Sequence, residues 1–461
     1  MRDGFRKLLI VLATGGGKTA IAAHMTSTSI ARGVGPVWFL VHRRELLRQT
    51  AGAFYDAGID VGIVAAGREM QPWRKCQVVL VDSLKRRRHL LPDPRIIVAD
   101  EAHHAIAKKW ATAIQAYPKA WLIGLTATPE RLDGRGLGEH FDRIVEGPSM
   151  RWLIDNGFLS DYRIFAPPSV NTVGVHTVAG DFNKAELRDL LEKSTIVGDA
   201  VHEYRKHAAG RRAIIRSLSR DGSRAVCAAF QSAGFSAAHV DGLTPDDERV
   251  QVFNAFKAGD LEVLCNVELF SEGVDVPGVE CVIDLRPTKS LSMYLQFIGR
   301  ALRPVYAPGM DLSTTDGRLA AIAAGPKPVA IILDHAGNVD RHGLPDDERE
   351  WSLDGRKKRE VKKTFTCKVC YAVYATYQPV CPSCGAIPER LSGSGRAGPQ
   401  QVAGELGEVD KEAVRKRRQY APGQRQARSL AELEAYALAT NKKKSWATYV
   451  FNARLQKLTR A

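Results

Sequence analysis

The chain has 461 residues, 44% of them hydrophobic and 25% charged, the composition of a folded protein too long for one compact domain. Its longest apolar runs, such as Val37–Val41, are strand-sized, so no bilayer-spanning segment and no membrane partner are expected. The formal net charge is +15, and residues 351–461 hold most of it, with 22 Lys and Arg against 9 Asp and Glu. A near-neutral front with a basic attachment points to a polyanionic partner, most commonly nucleic acid; a merely solvated end is the alternative reading. The N-terminal apolar run leads straight into a glycine loop, unlike a signal peptide. Eight cysteines, four of them in one tight cluster, do not resemble a secreted disulfide framework, so a reducing cytoplasm is expected.

In chain order, short and nearly all-apolar runs predict strands at Leu8–Leu12, Val37–Val41, Val78–Val81, Ile96–Ala99 and Trp121–Leu125. A second series is predicted at Ala213–Ile215, Glu262–Cys265, Cys281–Leu285 and Val329–Leu333. Such runs suit strands buried on both faces, and helix-like stretches between them suit parallel βαβ units. The expected fold class is α/β, with two tandem parallel-sheet domains, a small cysteine-bearing module and a basic helical tail. The expected divisions are 1–165, a connector at 166–195, then 196–350, 360–390 and 391–461. The connection, roughly Gly147 to Lys193, contains Ala166-Pro-Pro-Ser169 and is expected to lack regular strands.

Thr14-Gly15-Gly16-Gly17-Lys18-Thr19 lies between the first strand and a helix-like Ala20-Ile-Ala-Ala-His. That order suits a phosphate-cradling loop. Glycines let backbone N–H groups approach the phosphates, Lys18 supplies a cation, and the Thr19 hydroxyl can ligate Mg²⁺. Leu12 occupies a position where the full pattern has glycine. Asp100 and Glu101 follow the Ile96–Ala99 strand, at the sheet end where parallel folds bind ligands. Asp100 would hold Mg²⁺ and Glu101 would polarise the water that attacks the γ-phosphate.

Asp100-Glu101-Ala102-His103 resembles the D-E-A-H box of superfamily 2 helicases, and further matches follow in that family's order. Val41-His42-Arg43-Arg44-Glu45-Leu46 resembles motif Ia, and Thr126-Ala127-Thr128 resembles motif III. The run Asn266–Pro277 resembles motif V, and Gln296–Arg303 resembles motif VI. The nearest likeness is to bacterial and prophage helicases of the type III restriction/excision-repair branch, where Asp334–Asn338 and His342-Gly343 also have counterparts. The resemblance implies two RecA-like domains with ATP between them, residues 1–165 forming the ATP-binding domain and 196–350 the helicase C-terminal domain. It assigns Lys18, Asp100, Glu101, Arg300 and Arg303 to catalysis, with Arg303 as the arginine finger. Thr14, Gly15, Gly16, Gly17, Lys18, Thr19, Asp100, Gly273 and Asp275 would contact nucleotide and Mg²⁺. His42, Arg43, Arg44 and Glu272 would contact nucleic acid, and Thr126, Thr128, His103 and Gln296 would couple hydrolysis to movement. Two departures stand out. Few residues precede the first strand where relatives carry a glutamine that reads adenine, so either the chain starts late or it holds the base less specifically. Ala213-Ile-Ile-Arg216-Ser-Leu218 stands where the family has motif IV, with Arg216 where relatives usually carry an apolar or small residue.

Cys367-Lys-Val-Cys370 and Cys381-Pro-Ser-Cys384 have the spacing of two zinc knuckles, which together offer four thiolates to one structural Zn²⁺. Tyr371, Tyr374 and Tyr377 between them would stack on bases or pack the module. Cys76, Cys227, Cys265 and Cys281 read as buried apolar residues. Lys85–Arg88 and the tail's mixtures of cations and aromatics suit a phosphate backbone or a solvated face. The expected activity is an ATP-dependent helicase, with DNA favoured over RNA by the branch resemblance alone. Its rivals are a duplex translocase in a phage or defence complex with partner proteins, and an inactive nucleic-acid-binding remnant.

Overall fold

A computed structural model describes residues 4–102, 110, 114–129, 136–166, 177–178, 181–182, 196–267 and 278–354. Beyond these it describes only 364–366, 373–375, 407–409, 411, 433–434 and 447–448. Two seven-stranded sheets dominate. The first contains β1 (Lys7–Val11), β2 (Val37–Val41), β3 (Val61–Val64), β4 (Cys76–Leu80), β5 (Ile96–Ala99), β6 (Trp121–Thr126) and β7 (Arg143–Glu146). Its order is β3-β4-β2-β5-β6-β1-β7, and every pairing is parallel.

The all-apolar strands are buried on both faces, as their composition demands. Val37, Phe39 and Val41 of β2 join one core with Phe54, while Trp38 and Leu40 join the core on the other face. Two helices cover the first of these faces: α1 (Lys18–Ala31) follows β1, and α2 (Arg44–Asp56) follows β2. In α2 the stripe Leu46, Leu47, Thr50, Ala51 and Phe54 is buried, a helical spacing that docks one face on the sheet.

β8 (Asp161–Ala166) belongs to the second sheet, and β9 (Thr177–Val178) and β10 (Asp181–Phe182) form a small antiparallel pair. The rest of the second sheet is β11 (Ala213–Arg216), β12 (Ala237–Val240), β13 (Val263–Asn266), β14 (Cys281–Asp284) and β15 (Val329–Asp334). β16 (Thr364–Thr366) and β17 (Val373–Ala375) pair antiparallel, and β18 (Gly407–Glu408) closes the second sheet. That sheet runs β12-β13-β11-β14-β15-β8-β18, parallel except for the antiparallel β18.

All nine expected strands are present. Within the two large sheets five further strands, β3, β7, β8, β12 and β18, were not expected. β7 is an edge strand exposed along most of its length, and β8 alternates exposed Asp161 and Arg163 with buried Tyr162 and Ile164, so neither shows the all-apolar signature.

β8 also corrects the expected connector. The stretch from Gly147 contains a helix, Met150–Asp155, and β8 pairs in parallel with β15. Met150, Leu153, Ile154 and Leu159 pack in a core of the second sheet, so the second unit begins well ahead of residue 166. Leu353 returns to the first unit, its carbonyl accepting from the N–H groups of Leu137 and Gly138 at 2.9 and 3.0 Å.

The tail was expected to be helical; its described residues 411, 433–434 and 447–448 are helical, while 407–408 are strand. Val409 N–H extends this pairing by donating to Ile164 O at 2.8 Å. The Lys411 ammonium meets Asp161 Oδ1 at 2.9 Å and lies 3.6 Å from the centre of the Tyr162 ring. Cys76, Cys227, Cys265 and Cys281 are free and buried, as expected. Among the described residues, no helix is long and apolar enough to cross a membrane.

Candidate functional site

Sheet register determines where the site forms. Val11 pairs with Thr126, Gly124 with Ala99, and Ala99 with Leu40. The C-terminal ends of β1, β6, β5 and β2 therefore stand side by side, and each carries one of the segments singled out by sequence. Ligands of parallel sheets bind at this end.

After β1 the chain turns through Gly15 and Gly17, whose φ values of 82° and 83° lie in the left-handed region that glycine enters without steric cost. Gly16 N–H donates to Ala13 O at 2.8 Å, tightening the loop. α1 begins without a side-chain cap or an acidic residue in its first turn. Its leading N–H groups and positive dipole end are thus available to an anion. Thr14 Oγ1 is buried and without a hydrogen-bond partner among the described residues. An anionic phosphate with oxygen acceptors fits this cradle.

Lys18 Nζ lies 2.8 Å from Glu101 Oε1. Burial opposes the Lys18 charge, but Glu101 and Asp100 outweigh it, so the ammonium is held above its ordinary pKa. Asp100 is pushed up to about 6, first by burial and then by neighbouring Glu101, against the pull of Lys18 and His42. Two crowded carboxylates with one ammonium form a set that a divalent cation would complete. Glu101 has φ 47°, a left-handed conformation rare for a residue with a side chain and found preferentially at functional sites. Asp100 Oδ1 accepts from the Glu101 N–H at 3.0 Å.

The second unit closes the site from above. The helix Leu291–Ala301 presents Gln296, whose Nε2 donates to Glu101 Oε2 at 3.3 Å across the cleft. Thr14, Lys18, Asp100, Glu101, Arg300 and Arg303 line a shared cavity of about 280 Å³, together with α2 residues including Gln49 and Thr50. A second cavity of about 700 Å³ continues along α1 past Ala23, His24 and Ser27. Burial lowers the Arg303 pKa, yet guanidinium remains charged at neutral pH. Thr126 Oγ1 donates to Thr128 O at 2.8 Å, and Thr126 O accepts from Leu12 N–H at 2.9 Å, which ties this turn to the base of the phosphate loop.

His42, Arg43 and Arg44 lie at the end of β2 and the start of α2. Next to them, Glu45 Oε1 meets Arg249 Nη1 of the second unit at 3.5 Å. Arg249, Gln49 and Thr50 carried no signal in the sequence, because their roles depend on which helices face the cleft. His103, Glu272, Gly273 and Asp275 lie outside the described residues, as do Cys367, Cys370, Cys381 and Cys384. Among the described residues no cluster of three metal-type ligands occurs.

Comparison with known proteins agrees with this architecture. Residues 1–131 match the family model "Type III restriction enzyme, res subunit", and residues 192–305 match "Helicase conserved C-terminal domain". A 51.5 kDa protein of Lactococcus phage (isolate 7-9) is 34% identical over 377 residues, covering 80% of this chain and 76% of the phage protein. IRC3 of Saccharomyces cerevisiae, which bears the name of an ATP-dependent helicase, is 28% identical over 324 residues, or 66% of this chain. The match spans only 47% of the yeast protein's own length. A solved fragment of a type I restriction enzyme subunit from Vibrio vulnificus YJ016 superposes with a TM-score of 0.56 at 20% identity, covering 75% of this chain and 63% of the fragment. At that identity the likeness is one of fold: two RecA-like parallel-sheet domains.

Proposed function

We propose, for a chain that belongs to the superfamily 2 helicases with type III restriction and conserved helicase C-terminal domains, an ATP-driven motor that moves along nucleic acid. The observation that carries the reading is the meeting of Lys18, Glu101 and Gln296. A phosphate-loop lysine and a second-domain glutamine share one carboxylate, on opposite oxygens.

In this reading the glycine loop and Lys18 hold the β- and γ-phosphates, while Thr19 and Asp100 hold Mg²⁺. When bound, Mg²⁺ neutralises phosphate charge. Glu101 orients the attacking water and accepts its proton. Arg300 and Arg303 reach the γ-phosphate only when the domains close, which makes charge stabilisation depend on closure. Gly273 and Asp275 complete the nucleotide contacts. His42, Arg43, Arg44 and Glu272 grip the nucleic-acid backbone, and phosphate contacts of this kind position the strand without reading sequence. Thr126, Thr128, His103 and Gln296 couple the two events.

DNA is the favoured track, supported by the match to a restriction-enzyme model. The same match favours a second reading, a duplex translocase working with partner proteins in a phage or defence complex. We also assign one structural Zn²⁺ to Cys367, Cys370, Cys381 and Cys384. The spacing supports it, and so does the pairing of β16 with β17 on either side of the first Cys-x-x-Cys.

ATPase rates with single-stranded DNA, duplex DNA and RNA test the reading, with Lys18→Ala as the blank. Stimulation by DNA is expected. Strand displacement would identify a helicase, and stimulation by duplex without displacement a translocase. Turnover indifferent to every nucleic acid would overturn the motor.

A further inference from the structure

Arg216, the residue that departs from the family pattern, is the last residue of β11 and is 1% exposed. In sheet register it faces Asp284 at the end of β14. Its guanidinium grips that carboxylate with both arms, Nε to Oδ1 at 2.9 Å and Nη2 to Oδ2 at 2.5 Å. The remaining arm, Nη1, donates to Met293 O at 3.0 Å, and the guanidinium carbon lies 4.6 Å from the centre of the Phe297 ring. Met293 and Phe297 stand one turn apart on the helix Leu291–Ala301. The neighbouring stripe of that helix and its end carries Gln296, Arg300 and Arg303.

The same carboxylate reaches the start of the helix by a second route. Asn338 Nδ2 donates to Asp284 Oδ2 at 2.8 Å, and Asn338 Oδ1 accepts from Thr288 N–H at 3.0 Å. Thr288 Oγ1 accepts from Ser290 N–H at 3.0 Å, and Ser290 Oγ caps the helix through Met293 N–H at 3.2 Å. Sheet, cap and first turn are thus joined by polar contacts that are buried at Asp284, Asn338 and Thr288 and half-buried at Met293.

We propose that Arg216, locked to Asp284, is a positioning residue for ATP hydrolysis. It sets the rotation and advance of the helix that delivers Gln296, Arg300 and Arg303 to the phosphate end of the cleft. The proposal rests on the motor reading above. A buried ion pair contributes little net stability, because desolvation offsets its attraction. Its directional fork does fix geometry, and misplacement by about 1 Å near reacting atoms costs on the order of 100-fold in rate.

The test uses the full chain with Arg216→Met combined with Asp284→Asn, which removes both charges and leaves neither stranded. Affinities for ADP and for ADP–aluminium fluoride, a mimic of the transferring phosphoryl group, are compared with kcat. A positioning role predicts unchanged ADP affinity, kcat lower by at least about tenfold, and a parallel loss in affinity for the mimic. Arg216→Lys, which keeps the charge and loses the fork, should shift the mimic-to-ADP ratio less and in the same direction. It also serves as the measurement if the double variant does not fold. A wild-type ratio in the folded variant, or a loss shared equally by ADP and the mimic, would overturn the proposal. Wild-type protein that fails to prefer the mimic over ADP would instead overturn the motor reading itself.

Discussion

Gly299 and Thr14 meet across the cleft so closely that a β-carbon added at Gly299 would lie 2.5 Å from Thr14 Cγ2. The glycine is therefore what allows a helix of the second domain to rest on the phosphate loop of the first. Gly299→Ala should hold the domains apart. ATP turnover in the presence of nucleic acid should fall by about tenfold or more, while nucleotide binding through the first domain and the melting temperature change little. A turnover assay beside a thermal melt checks this, and unimpaired turnover would mean that the cleft works in a more open form.

Lys18 and Glu101 form one ion pair but should fail differently. Lys18→Ala removes the phosphate cation, and turnover should vanish. Glu101→Gln keeps a hydrogen-bonding group toward Lys18 and Gln296, so ATP should still bind. Hydrolysis should slow at least about 100-fold, the scale for losing a water-orienting base. Binding and single-turnover kinetics on both variants distinguish the two losses.

Asp100 should impose a pH dependence. Its pKa of about 6 in the folded protein exceeds the ordinary 3.8, so between those values the folded state retains a proton that the unfolded chain has released. Its contribution to stability is therefore present at low pH and lost as pH rises through about 6. Metal binding runs the other way, because Mg²⁺ needs the ionised carboxylate. Mg²⁺ affinity measured without nucleotide should be steady above the transition and fall by about tenfold per pH unit below it. A flat profile down to pH 4.5 would remove Asp100 from the metal site.

The zinc assignment predicts one zinc per chain in purified protein, lost when Cys367 and Cys370 are both replaced by serine. Elemental analysis decides it. Zinc-free native protein that retains its melting temperature would dismiss the metal module.

What could be read in the sequence was whatever local chemistry fixes. The strands buried on both faces announced themselves as apolar runs, and Thr14–Thr19, Asp100 and Glu101 announced a phosphate site by residue type and order. What escaped depends on long-range placement. β8 alternates exposed Asp161 and Arg163 with buried Tyr162 and Ile164, so it resembled connector more than core. Arg216 reads as an anomaly in the sequence because its partner, Asp284, lies 68 residues later and meets it only through sheet register. Gln49 and Thr50 became cavity walls only because α2 faces the second domain.

The second sheet is assembled from three distant stretches of chain, and this sets a hazard during synthesis. β8 is made long before its outer partner, the two-residue β18. Until residue 407 leaves the ribosome, one side of β8 is a bare edge of unpaired N–H and C=O groups, able to recruit a strand from a neighbouring nascent chain. Asp161 and Arg163, the exposed charges on that strand, act as gatekeepers over this interval. Once the tail arrives, the Lys411 contact with Asp161 joins one of those charges to the seal.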